Sequence, residues 1–155
     1  MYHLACADGY KYPGSEPTYI LELIPTAAGL AATASDQSLR LFDPSNLSQG
    51  PIKTLQTNHG NITSAEAYNP SESIVATAGE NGTISIWDLR LGGAAAQILR
   101  IKGTPDETSL LSLACSSQTN TIAAGTELAN HQASILLWYV ADHSQHLYSP
   151  PSSIQ

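Results

Sequence analysis

The chain has 155 residues, of which 42% are hydrophobic and 12% charged, enough apolar content for a folded domain and far from the low-hydrophobicity signature of disorder. Its formal net charge is −7 with only six Lys plus Arg, so the basic surface that neutralises a phosphate backbone is missing and nucleic acid is excluded as an expected ligand. Sparse charge and abundant Ser, Thr, Asn, Gly and Pro favour strands joined by turns over helices laced with Glu and Lys.

In chain order, Tyr2-His3-Leu4-Ala5-Cys6 has the length and alternation of a short strand inside an N-terminal segment, 1–17. A strand is predicted over 18–23, a turn at Pro25-Thr26, and then a strand of small residues, Leu30-Ala31-Ala32-Thr33. The tight turn Ser35-Asp36-Gln37-Ser38 leads to Leu39-Arg40-Leu41-Phe42-Asp43, and a looser loop leads to Ile52-Lys53-Thr54-Leu55. The same order then recurs. Ile62 to Tyr68, the turn Asn69-Pro70-Ser71, Ile74 to Ala78, the hairpin signal Asn81-Gly82, Ile84 to Asp88 and Gln97 to Ile101 form a second unit. Leu110 to Cys115, a turn at Ser116-Ser117, Thr121 to Ala124 and Ile135 to Tyr139 begin a third.

Phe42, Trp87 and Trp138 close the third strand of each unit at intervals of roughly 45 to 50 residues, a period that marks a repeat architecture. Four strands per unit make one blade of a β-propeller. The expected fold is therefore all-β, a partial propeller of about three four-stranded antiparallel blades spanning 18–57, 58–103 and 104–140. Strands apolar on both faces, such as Leu110 to Cys115, suit sheets covered on both sides. The Ser- and Pro-rich tail, 141–155, reads as disordered linker.

The segment Thr77-Ala78-Gly79-Glu80-Asn81-Gly82-Thr83-Ile84-Ser85-Ile86-Trp87-Asp88, with His59 opening its unit, resembles the signature half of a WD repeat. The resemblance implies a structural hydrogen-bond network of His59, Thr77 and Trp87, with Asn81 where the family carries a turn Asp. The first unit keeps an acid, Asp36, but has Phe42 and lacks the His; the third keeps Trp138 but has Tyr139 where Asp is expected. What the family implies for function is a protein-interaction scaffold whose loops present side chains to protein partners, with no enzyme activity. It also implies that the N-terminal segment supplies the outer strand of the last blade and fastens the ring.

Trp87-Asp88-Leu89-Arg90 resembles the motif by which WD-repeat substrate receptors dock on the adaptor of cullin-4 ubiquitin ligases, Arg90 offering a bidentate contact to a partner carboxylate. The alternative is that Trp87 and Asp88 are structural and Arg90 lies in solvent. His59 reads as a structural histidine rather than a base or ligand. Asp142, His143 and His146 have a spacing that a metal uses, but with no further ligand nearby they carry no metal site. Gly79 to Gly82 is a turn and not a phosphate loop, since no Lys or helix pattern follows. Asp36, Glu66, Glu80 and Asp88 are scattered over different strands and turns, which leaves a propeller hydrolase as a remote alternative. No catalytic residue, cofactor or metal is expected.

Cys6 and Cys115 read as small apolar side chains of a core, in a reducing compartment. Residues 1–10 lack a secretory leader pattern, no stretch approaches the ~20 apolar residues of a membrane span, and the expected location is cytoplasm or nucleus. Three blades leave two apolar faces uncovered. That points to a shortened product or partial gene model of a longer protein, or to a remnant without a partner of its own, and to self-association through the exposed blade faces.

Overall fold

Apolar runs of five to eight residues, punctuated by Gly, Pro, Asn and Asp, fold here as strands and not as helices, because each run is too short to bury a helical face. The computed structural model describes residues 5–12, 18–104, 106–129 and 131–140. Strands β1 (Ile20–Thr26), β2 (Gly29–Ala34), β3 (Ser38–Phe42) and β4 (Pro51–Gln56) form one antiparallel sheet in sequential order. A second repeats it with β5 (Ile62–Asn69), β6 (Ile74–Gly79), β7 (Thr83–Asp88) and β8 (Gln97–Lys102). The third contains β9 (Leu110–Ser116), β10 (Thr121–Thr126) and β11 (Ile135–Tyr139), three strands among the described residues where the sequence pattern predicts four.

Two local expectations are corrected. The first strand continues through Pro25 to Thr26 and turns at Ala27-Ala28. Proline is accommodated because, among the described residues, β1 pairs only with β2 and lies at the edge of its sheet, where a missing N–H is tolerated. Asn69-Pro70-Ser71 is not a simple turn but the entry to a short 3-10 helix, Pro70–Glu72, whose cap Asn69 accepts from the backbone N–H of Glu72.

The sheets stack as blades, and the core lies between them in two layers. Between the first and second sheets, Ala31, Leu39, Leu41 and Leu55 meet Ala65, Val75, Trp87 and Leu89. Between the second and third, Ala76, Ala78, Ile84 and Ile86 meet Leu110, Ile122 and Ala124, with Trp138 packed against them. Alanines of β2, β6 and β10 let neighbouring sheets approach closely, and the large side chains of β3 and β7 fill the layer. Covered on both faces, β7 is buried along its whole length. Side-chain bonds also tie the blades: Ala65 N donates to Glu22 Oε2 (2.7 Å), and Ala28 N donates to Ser73 Oγ (2.7 Å).

Residues 5–12 run without regular secondary structure and lay Tyr10 and Tyr12 against Phe42 of β3. Tyr2, His3 and Leu4 of the expected ring-closing strand lie outside the described residues, as do 141–155 with Asp142, His143 and His146.

Candidate functional site

The hairpin between β6 and β7 places Asn81 and Thr83 beside the loop that carries His59, and β6 and β7 bring Thr77 and Trp87 beneath it. The indole N–H of Trp87 donates to Thr77 Oγ1 (2.8 Å). His59 Nε2 lies 2.8 Å from Thr77 Oγ1, and His59 Nδ1 lies 2.8 Å from Thr83 Oγ1. Thr83 Oγ1 donates to Asn81 Oδ1 (2.7 Å), while Asn81 Nδ2 donates to the carbonyl of Asn58 (3.0 Å).

These contacts set every proton. Asn81 gives its amide N–H to a carbonyl, so its Oδ1 is an acceptor and the single Thr83 hydroxyl proton goes to it. Thr83 Oγ1 is then left as the acceptor for His59 Nδ1–H. His59 Nε2 is bare and takes the proton of Thr77, whose oxygen also accepts from Trp87. Burial, reinforced by the nearby charge of Arg100, pulls the imidazole pKa down to about 4, so the ring is neutral in this arrangement. The network ends in a backbone carbonyl rather than in a charged Asp, and the Asn81 side chain only partly offsets the burial that disfavours an imidazolium.

The four residues expected from the sequence are thus brought together, and a fifth, Thr83, joins them. Thr83 Oγ1 bridges His59 Nδ1 and Asn81 Oδ1. Its signal was available, since Ser38 bears the same relation to Asp36: Asp36 Oδ1 accepts from Ser38 N and Oγ, as Asn81 Oδ1 does from Thr83. The other blades have dropped the network as a set. Two residues along from the partner of each aromatic stand Ala32 in the first blade and Ala124 in the third, where the second has Thr77. Neither offers a hydroxyl to an indole.

Trp87 and Asp88 are buried, and Arg90 alone of the docking set reaches solvent. Its fork is already engaged: Arg90 Nε donates to Asp88 Oδ1 (2.9 Å), Arg90 Nη2 to Asp88 Oδ2 (2.7 Å), and the Arg90 backbone N–H to Asp88 Oδ1 (3.0 Å). The hydrogen bonds from Arg90, with the charges of Arg90 and Lys53, hold the Asp88 carboxyl below its usual range. Lys53, on the neighbouring blade, donates to the carbonyls of Leu89 (2.6 Å) and Leu91. The loop after β7 is thereby fixed from both sides, with the Arg90 side chain half exposed and Leu91 beside it in solvent.

Elsewhere, an open groove of about 490 Å³ is lined by Glu22, Ile24, Ser64, Glu66 and Leu113 of β1, β5 and β9. Burial holds the Glu22 carboxyl above its usual range. Cys115 packs against the second core layer and its thiol is pushed up to about 12, chiefly by burial, so it is unreactive. Cys6, contrary to expectation, is exposed: it lies in the segment 5–12, outside any sheet. Among the described residues, no group of three His, Cys, Asp or Glu is placed to hold a metal, and no helix is long and apolar enough to cross a membrane.

The WD domain, G-beta repeat family model matches residues 49–88, which cover β4 to β7 and the network. The chain is 34% identical over 61 residues to Target of rapamycin complex subunit LST8 of Saccharomyces cerevisiae, covering 39% of this chain and 20% of that protein. It is 31% identical over 112 residues to Target of rapamycin complex subunit LST8-1 of Arabidopsis thaliana, covering 68% of this chain and 36% of that protein. The chain thus spans about a fifth to a third of the curated relatives it matches. In fold it is similar to the Cps50 (Swd1) β-propeller domain of Myceliophteria thermophila, with a TM-score of 0.64 at 16% identity over 79% of this chain and 40% of that one. Blade topology, the matched repeat and these relatives agree: the chain carries a WD repeat over residues 49–88 and has the fold of part of a β-propeller.

Proposed function

We propose that the chain is a protein-interaction scaffold, with the loop after β7 as its docking element and no catalytic role. The observation that carries this reading is the fixed Arg90 fork. Asp88 and Lys53 hold the loop before any partner arrives, so little conformational entropy is lost when Arg90 meets one. The exposed outer N–H groups of the guanidinium, next to exposed Leu91, suit a partner segment that pairs a carboxylate or carbonyl with an apolar side chain. Two relatives carry names of complex subunits, which supports an assembly role.

The sharper version is docking on the cullin-4 ligase adaptor through Trp87, Asp88 and Arg90, with Trp87 and Asp88 acting from below by holding the strand and the fork. A finer resemblance, to WD repeat-containing protein 89, rests on Glu16-Pro17-Thr18-Tyr19-Ile20-Leu21, Trp87-Asp88-Leu89-Arg90 and Ala124-Gly125-Thr126-Glu127 followed by a lengthened turn. Cytoplasm or nucleus is the location that fits this reading. A pull-down with the cullin-4 adaptor, comparing wild type with Arg90→Ala, tests the sharper version. Recovery is expected to fall at least about tenfold, the value of one desolvated charge-assisted bond. Equal recovery of the two proteins, both folded by circular dichroism, removes the special role of Arg90.

A further inference from the structure

Of the asparagines in the chain, only Asn81 is followed by glycine. An asparagine in that setting loses its side-chain amide most easily, because the next residue has no side chain to shield its backbone nitrogen. That nitrogen attacks the carboxamide carbon, ammonia leaves, and the cyclic imide so formed opens by taking up one water. The ring opens to aspartate or to isoaspartate, and no oxidant or reductant takes part.

In the closed hairpin both reacting groups are held. Asn81 Nδ2 donates to the carbonyl of Asn58 (3.0 Å), while Asn81 Oδ1 accepts from Thr83 Oγ1 (2.7 Å) and from the Thr83 backbone N–H (3.2 Å). The Gly82 N–H donates to the carbonyl of Gly79 (3.1 Å), and the Gly82 carbonyl accepts from Gly103 N–H (2.8 Å). The carboxamide cannot swing onto the Gly82 nitrogen without breaking bonds at both of its ends, so the reaction waits for the hairpin to open. An aspartate then fits when the turn closes, because Asp36 already makes the matching bonds to Ser38 N and Oγ in the first blade. Isoaspartate does not, since it adds a main-chain carbon next to Gly82, where there is no room even for a Cβ. The two turns differ in their cations: Asp36 pairs with Arg40, opposite Ala32, whereas Ser85 stands opposite Thr77 in the second blade. Around position 81 the ionisable side chains are His59, Arg100, whose Nη2 lies 3.5 Å from the Asn58 carbonyl, and Glu80, which accepts from Asn61 Nδ2 (3.0 Å).

We infer that Asn81-Gly82 is a modification site gated by the fold: it deamidates when the hairpin between β6 and β7 opens, and the aspartate formed turns the neutral network of His59 into a charged one. A carboxylate at position 81 still accepts from Thr83, which leaves Thr83 Oγ1 as the acceptor for His59 Nδ1–H. Its charge favours the imidazolium that burial and Arg100 disfavour. It gives up the bond to the Asn58 carbonyl, for which Arg100 stands as the alternative donor.

Deamidation of Asn81 in the full chain, held at mildly alkaline pH and followed by peptide mass spectrometry, is expected to run about ten- to a hundredfold slower than in the free peptide Thr77–Asp88, because only the opened fraction reacts. In urea the two rates are expected to meet. Thr83→Ala, which takes the hydroxyl from Asn81 Oδ1, is expected to react faster than wild type, and Thr83→Ser, which keeps a hydroxyl, to react as wild type does. A folded chain that deamidates at the peptide rate overturns the gate, and one without product after roughly a hundred peptide half-lives overturns the site. The product is tested by Asn81→Asp, which is expected to fold and to show His59 titrating by NMR about one pH unit above its native value of about 4. A variant that is unfolded by circular dichroism, or an unmoved titration, overturns the charged network. Arg90 lies beyond the opposite end of β7, and Arg90→Ala is expected to deamidate as wild type does, which separates this site from the docking reading.

Discussion

His59 is neutral, fully enclosed and hydrogen-bonded at both ring nitrogens, and this makes the fold sensitive to acid. Its pKa is about 4 in the folded chain against 6.5 for the free side chain, burial being the main cause. Above the unfolded value neither state takes up a proton there, and the full stability is present. As pH falls from 6.5 toward 4 the unfolded chain binds a proton that the folded chain refuses, so stability is lost across that window, by about 3 kcal/mol in total. Urea unfolding through this range is expected to show the loss, and His59→Ala, though less stable at neutral pH, is expected to lose the part of the slope that His59 causes. An NMR titration with His59 protonating near 6.5 in the folded protein contradicts it. Sequence made His59, Thr77, Asn81 and Trp87 legible because a local repeat fixes their spacing. It did not reveal Thr83, whose role depends on which atom faces the ring, nor the ion pair that occupies Arg90, since a motif records residue types and not the partners of their forks.

At the scale of the element, the hairpins of the first two blades differ by one residue with a conformational consequence. Gly82 sits at φ +68°, and a Cβ there would lie 2.2 Å from Thr104 Oγ1, so only glycine fits. The matching position of the first blade is Gln37, at φ 65°, in the same left-handed region without glycine's freedom. Asp36 compensates by accepting from Ser38, and Arg40 closes the turn by pairing with Asp36. Gln37→Gly is expected to stabilise the protein by about 0.5–1 kcal/mol, the relieved backbone strain net of glycine's greater entropy when unfolded. A chemical-denaturation midpoint that does not rise counts against strain at this turn. Strand order and the hairpins were legible here because turn residues and β-branched runs act locally. The extent of β1 was not, because Pro25 reads as a breaker unless the edge position of its strand is known, and that is a property of the sheet.

In the whole molecule each blade is stabilised through its neighbours, so position in the stack decides what a side chain contributes. The repeat count and the blade stacking follow from the spacing of Phe42, Trp87 and Trp138, but no local pattern separates Ile84 from Ile135, which occupy the same position relative to the closing aromatic. The second blade, packed on both faces, is expected to hold the slowest-exchanging amides, in β6 and β7, while β11, packed on one face and paired on one edge among the described residues, exchanges earlier. Substitution reads the same gradient. Ile86→Ala opens a cavity in a closed layer and is expected to cost about 2–4 kcal/mol, whereas Ile135→Ala removes exposed atoms and is expected to cost under about 0.5 kcal/mol. Equal costs would mean that Ile135 is packed in the folded chain, against its exposure among the described residues.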